Sequence, residues 1–184
     1  MKKLFNISLL LFAAVLLFSC RNGNDDIPED IHEHEEIGQV VVTVTNKADG
    51  TEQVVTVKDG QTADHLHLSQ GATYAVEVDF QIKHDDHYHS ADEIIEEKDM
   101  HFVTYKFSGA DIKVKRTAED IVRTDGKKLG LKTEWTVATA AAGKANIVLV
   151  HGATSVNDNS PSADNQLGST VGGESDVDIM IDFH

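Results

Sequence analysis

The stretch Tyr74-Ala-Val-Glu-Val-Asp-Phe-Gln-Ile-Lys83 alternates apolar and polar side chains along almost its whole length. Side chains two positions apart in an extended chain share a face, so one face carries aromatic and branched apolar groups and the other carries charges and an amide. Such alternation is typical of a strand with one face in a core and the other in water. The stretch therefore predicts a central strand of an antiparallel sheet.

Shorter stretches with the same period lie on both sides of this strand, and turn residues separate them at intervals of roughly ten residues. They are 38–45, 53–58, 101–107, 111–116, 129–137, 144–150 and 176–183. No long amphipathic helix interrupts them. We therefore predict an all-β fold, an antiparallel β-sandwich of about seven to nine strands over residues 38–184.

Three local features complete the predicted domain. Ser90 and Glu93 have the spacing of a capping box and predict one short helix. Trp135 is expected in the core with its ring nitrogen bonded to a carbonyl. Residues 152–175 are rich in Gly, Ser, Asn, Asp and Thr and predict a long irregular surface loop.

The amino end has the composition of a targeting segment. Two lysines precede the apolar run 4–18, which is shorter than the roughly 20 residues that span a bilayer. The stretch Leu17-Phe-Ser-Cys20 resembles the lipobox of bacterial lipoproteins, in which the cysteine is diacylated. We predict a signal peptide at residues 1–19, lipidation of Cys20 and a disordered acidic tether at 20–37.

Charge limits the partners of the chain. The formal net charge is −15, which excludes nucleic acid and favours cations. An anionic bilayer repels a chain of this charge, so membrane attachment should rest on acyl chains at Cys20. Asp25 and Asp26 resemble the signals that send some Gram-negative lipoproteins to the cell surface, so the predicted location is the outer membrane, exposed at the surface.

The stretch His84-Asp-Asp-His-Tyr-His89 follows the central strand directly. Neutral imidazole is the commonest protein ligand for zinc and copper, so we predict a metal site formed by His84, His87, His89 and His101. Glu97 would join His101 on one face if the short helix extends that far; otherwise His101 begins the next strand. A solvated polar loop remains the alternative.

Two further His-x-His pairs supply candidate ligands. His65 and His67 share a side of an extended segment, and His32 and His34 lie in the tether, where a plain acidic tail is the alternative. Three or four nitrogen or oxygen ligands suit zinc, and the absence of a free thiol in a lipidated chain disfavours copper(I). Zinc is therefore the predicted ion, with copper(II) or nickel(II) as alternatives.

Four stretches resemble a family of small secreted β-rich lipoproteins often labelled "type 1 periplasmic binding fold superfamily protein". They are Glu33-His-Glu-Glu-Ile37, Glu93-Ile-Ile-Glu-Glu-Lys-Asp-Met-His-Phe102, Gly130-Leu-Lys-Thr133 and Gly172-Gly-Glu-Ser-Asp-Val-Asp178. The label denotes a two-lobed α/β protein, which the strand pattern does not support. What the resemblance implies is a single β domain with no established catalytic chemistry.

Enzyme motifs are missing from the sequence: it has no His-Glu-x-x-His helix, no Gly-x-Ser-x-Gly elbow and no phosphate-binding glycine loop. A zinc hydrolase with Glu96 or Glu97 as base is the enzymatic alternative. We predict instead a non-enzymatic surface lipoprotein that binds zinc and supplies an outer-membrane transporter. Two further non-enzymatic roles fit the same sequence, a glycan- or protein-binding module and a haem-capturing lipoprotein.

Overall fold

The computed structural model describes residues 36–62, 64–139 and 142–184. The predicted signal peptide, Cys20, His32 and His34 therefore lie outside the described residues. Strands make up 61% of the structure and helix 3%, which confirms the all-β prediction.

The elements follow one another in a simple order. They are β1 (Ile37–Asn46), β2 (Glu52–Lys58), β3 (His65–Leu66), β4 (Thr73–His84), β5 (His87–Ser90), α1 (Glu93–Glu96), β6 (His101–Ser108), β7 (Asp111–Arg116), β8 (Lys132–Thr139), β9 (Gly143–His151), β10 (Ser155–Asn157), β11 (Pro161–Ser162), β12 (Asn165–Gln166), β13 (Ser169–Val171) and β14 (Glu174–Phe183).

Two sheets carry the fold. The first has six strands in the order β2-β1-β4-β8-β7, with β5 paired to the far end of β4. The second has four strands in the order β3-β14-β9-β6. Every pairing in these sheets is antiparallel except that of β3 with β14, which is parallel. The predicted central strand is confirmed as β4, which pairs with β1 on one side and with β8 and β5 on the other.

Apolar faces of the two sheets meet in a single core. Phe80 and Trp135 come from the first sheet and Ile147 and Ile181 from the second, and all are buried. This arrangement is a β-sandwich, as the alternation predicts. The ring nitrogen of Trp135 has no hydrogen-bond partner among the described residues, so that part of the prediction is wrong. The indole is enclosed by core side chains, with the rings of Tyr105 and Phe107 edge-on to it.

The predicted capping box is also wrong. Ser90 is the last residue of β5, where it pairs with Gln81, and the cap position of α1 falls to Asp92 without a side-chain bond. The helix ends at Glu96, so His101 begins β6 rather than extending a helical face. With four residues, α1 is the single helix of the described part of the chain, and no helix there is long and apolar enough to cross a membrane.

Residues 152–175 are ordered into two small hairpins, β10 with β13 and β11 with β12, which corrects the predicted irregular loop. Asn165 and Gln166 accept hydrogen bonds from the backbone of β7, at 3.4 and 3.2 Å, and the carbonyl of Leu167 accepts one from β6 at 2.9 Å. The segment therefore covers one edge of each sheet. These short strands, with β3 and β5, raise the strand number above the predicted range.

Candidate metal centre

The segment His65-Leu66-His67-Leu68 alternates between core and solvent. Leu66 and Leu68 are buried in the sandwich, so the side chains of His65 and His67 point outward and are exposed. Their ring centroids lie 4.9 Å apart. The prediction that these two histidines share a side is confirmed.

Parallel pairing with β14 brings a third histidine to the same place. Asp182 lies opposite His65, and the backbone of His184 bonds across the ladder to both Leu66 and Leu68, each at 3.0 Å. In a parallel ladder this pattern sets His184 opposite His67. Its exposed ring therefore lies beside both imidazoles of the alternating segment.

A side chain from the other sheet holds this segment in place. Gln53 of β2 donates to the carbonyl of His67 at 3.0 Å and accepts from its N–H at 2.8 Å. Both polar backbone groups of His67 are thus satisfied by one amide. The three histidines consequently lie where the two sheets meet, with support from each of them.

We call His65, His67 and His184 the triad. The ring of His184 has its centroid 4.4 Å from each of the other two, and one ligand atom from each residue lies within 4.8 Å of the others. Three imidazoles on a zinc ion place their centroids about 4.5 Å apart at right angles and about 5.2 Å apart in a tetrahedron. The triad matches this spacing and can hold a metal ion, with a coordination position left open.

Electrostatics favour the form of His184 that binds metal. Partial desolvation of the ring, followed by the neighbouring charges of His65 and His67, lowers the pKa of His184 below its usual value. A lower pKa keeps this imidazole neutral to lower pH. Only the neutral ring offers a lone pair to an ion, so the packing of the triad favours metal over proton.

The histidines after the central strand form a second exposed group, the hairpin cluster of His84, His87 and His89. His84 lies opposite His87 across the β4–β5 hairpin, and His89 lies opposite Ile82. All three rings therefore share one face. Their centroids are 5.7, 6.2 and 6.1 Å apart, which is wider than the triad.

His101 belongs to β6 of the other sheet and is buried, whereas the hairpin cluster is exposed. Its Nδ1 donates to the backbone carbonyl of Glu97 at 3.2 Å, its ring stacks on His151 at 5.0 Å, and its Nε2 is 3.8 Å from a carboxylate oxygen of Asp176. Burial, as the main cause, lowers the pKa of His101. Glu97 thus contacts this histidine through its backbone rather than its carboxylate.

Within the described ranges, the triad is the one group of three potential ligands whose atoms converge within 4.8 Å. Metal binding by the hairpin histidines and His101 stays a prediction. His184 and His151 were not among the predicted residues. The alternation of β14, with Ile181 and Phe183 inward, places His184 outward, but nothing local indicates the parallel partner that brings it to His65.

Comparison of the chain with models of protein families, with curated proteins and with solved structures gives no match. The class of site is therefore defined by the geometry itself: an exposed three-histidine centre at one edge of an all-β sandwich.

Proposed function

We propose that this protein binds a divalent transition-metal ion through the triad, and that the ion is zinc rather than copper(II) or nickel(II). The observation that carries the proposal is the convergence of His65, His67 and His184 to within 4.8 Å. Imidazole nitrogen suits all three ions, and zinc is favoured by its availability and by its use of three protein ligands with one open position.

We also propose that the role is binding and transfer rather than catalysis. All three imidazoles are exposed, whereas metal-assisted catalysis uses a shaped cavity that excludes water. An open coordination position lets an incoming ligand take the ion. Lipidation of Cys20, attachment to the outer membrane and delivery to an outer-membrane transporter belong to the same proposal, supported by the lipobox-like stretch before Cys20 and the net charge of −15.

Zinc calorimetry on the untagged chain tests the site. At the triad, the variant H65A/H67A/H184A should bind zinc at least about a hundredfold more weakly than the parent, because the ion loses its three nitrogen ligands there. Asp182→Asn is the matched control: it lies opposite His65 in the sheet and removes a charge but no imidazole. Its affinity should stay within a few-fold of the parent. Equal tight binding by the triple variant and the parent would place the site elsewhere.

The pH dependence gives a second test. A proton competes with zinc for the imidazole nitrogen, whose ordinary pKa is about 6.5, whereas carboxylates stay ionised to about pH 4. Zinc affinity should fall by more than one decade between about pH 7 and 5. Competition with a chelator, corrected for its own protonation, measures this. A flat profile would indicate binding by carboxylates instead.

A further inference from the structure

The hairpin cluster presents three imidazoles whose Nδ1 atoms all face acceptors. Nδ1 of His89 donates to the carbonyl of Ser90 at 3.1 Å. Nδ1 of His84 lies 3.5 Å from a carboxylate oxygen of Asp85, and that of His87 lies 3.6 Å from Asp86. The hydrogen bond of His89 favours the tautomer with its proton on Nδ1, which leaves the lone pair on Nε2 and is the outer-shell arrangement that supports a metal-binding histidine. The contacts of His84 and His87 are longer than a hydrogen bond and place a negative charge beside each ring.

The spacing of the rings is close to what an ion requires. The three centroid distances, 5.7 to 6.2 Å, are nearly equal, so the rings form a regular triangle. Three imidazoles on zinc stand about 5.2 Å apart in a tetrahedron and about 5.5 Å apart when the three nitrogens and the ion are coplanar. Closing the triangle onto a tetrahedral ion takes about 0.5 to 1 Å per pair, which exposed side chains reach by rotation about their own bonds.

The cluster is independent of the triad. β4 runs 12 residues from Thr73 to His84, a length of roughly 35 Å at the usual rise of a strand. It starts beside the triad, where Tyr74 accepts a hydrogen bond from Ser69 just after Leu68, and it ends in the hairpin cluster. A single ion therefore cannot contact both groups.

We propose that the hairpin cluster is a second zinc site, held through Nε2 of His84, His87 and His89 and weaker than the triad by about tenfold, because its rings must turn before they meet on the ion. Each chain then binds two ions at opposite ends of the sandwich. The two exposed turn carboxylates, Asp85 and Asp86, lie beside two of the three ligands and attract the cation.

Calorimetry of the full, untagged chain with zinc separates the two sites. The parent should show two classes of site of one ion each. H84A/H87A/H89A should lose the weaker class alone, and H65A/H67A/H184A the tighter class alone. D85N/D86N keeps every imidazole and should weaken the second class only severalfold. Circular dichroism melting within a few degrees of the parent confirms that these exposed substitutions leave the fold intact.

Three results would overturn the second site. One is a hairpin variant whose zinc isotherm matches the parent in both classes. Another is a weak class more than about a thousandfold below the triad, which is ordinary surface binding. The third is loss of the weak class in D85N/D86N as complete as in the histidine variant, since carboxylates would then hold the ion. Failure of the triad proposal has a different signature, because H65A/H67A/H184A would then keep both classes of site while H84A/H87A/H89A still lost one.

An NMR titration checks the assignment by ring. The second equivalent of zinc should shift the imidazole signals of His84, His87 and His89, whereas the first should shift those of the triad. Shifts of His151 instead of the hairpin rings at the second equivalent would contradict the proposal.

Discussion

The two exposed histidine clusters are built by the chain in opposite ways. His84, His87 and His89 come from six consecutive positions, yet their rings stand 5.7 to 6.2 Å apart. His65 and His184 are 119 positions apart in the sequence, yet their ring centroids are 4.4 Å apart. Within a hairpin, strand spacing and side-chain period keep the rings separate. At the triad, a parallel partner inserts its ring beside two others. Closeness in the sequence therefore does not predict which histidine rings come close enough to bind one ion.

The largest difference between the clusters should appear in stability. Leu66→Ala removes a fully buried side chain that anchors the triad segment, and it should cost about 2–5 kcal/mol of unfolding free energy. The triad should lose zinc affinity as β3 loosens from β14. Tyr88→Ala, at a half-buried hairpin position, should cost clearly less. Denaturant unfolding of both variants measures this, and equal costs would mean that the triad segment is not core-anchored.

A buried histidine gives the next contrast. Burial lowers the pKa of His101 in the folded protein. Below about pH 6.5, His101 therefore binds a proton in the unfolded chain but stays neutral in the folded one. Stability should therefore fall as pH drops from about 7 towards the lowered pKa. His101→Gln keeps a donor for the carbonyl of Glu97 and should flatten this dependence. Urea unfolding at several pH values is the measurement, and an unchanged slope in the variant would contradict the assignment.

Gln53→Ala should affect the triad and spare the hairpin cluster. It removes two hydrogen bonds to the backbone of His67, each of which contributes about 1 kcal/mol of stability. Zinc affinity at the triad should fall severalfold. Gln53→Glu retains the acceptor for the His67 N–H and loses the donor to its carbonyl, so its effect should be intermediate. If calorimetry gives the same zinc affinity for Gln53→Ala and the parent, the hydrogen bonds of Gln53 do not position the triad segment.

The smallest expected effect is at the hairpin. Tyr88 lies between His87 and His89 in the sequence, and the ammonium of Lys58 is 4.9 Å from the centroid of its ring. Lys58→Met keeps the length of the side chain and removes the charge, and the loss of stability should be small because the ammonium is exposed to water. Hydrogen exchange of the β5 amides should quicken slightly, while that of β3 stays unchanged. Faster exchange in β3 would show that the two regions are coupled.

The features that the sequence predicted correctly depend on residues that are close together in the chain. The alternation in β4 and the shared face of His65 and His67 depend only on the period of an extended chain, and both are confirmed. The capping box failed because Ser90 is used in the pairing of β5 with Gln81. The hairpins of residues 152–175 escaped prediction because small polar residues carry no apolar period.

The position of His184 in the site could not be predicted, since it depends on a strand pairing between distant segments. The same holds for Gln53, whose amide reaches across from the other sheet. A sequence reveals which histidines share a face of one strand. It does not reveal which strands become neighbours.

The parallel contact of β3 with β14 also determines when the triad forms during folding. A hairpin such as β4–β5 closes within microseconds because its halves adjoin in sequence. The triad instead requires Asp182 to meet His65, a contact that closes a loop of most of the domain and therefore forms late. During synthesis and folding the chain thus presents its hairpin histidines first, and the converged three-histidine centre exists only after the last strand has docked. Occupancy of that centre would mark chains that have completed folding.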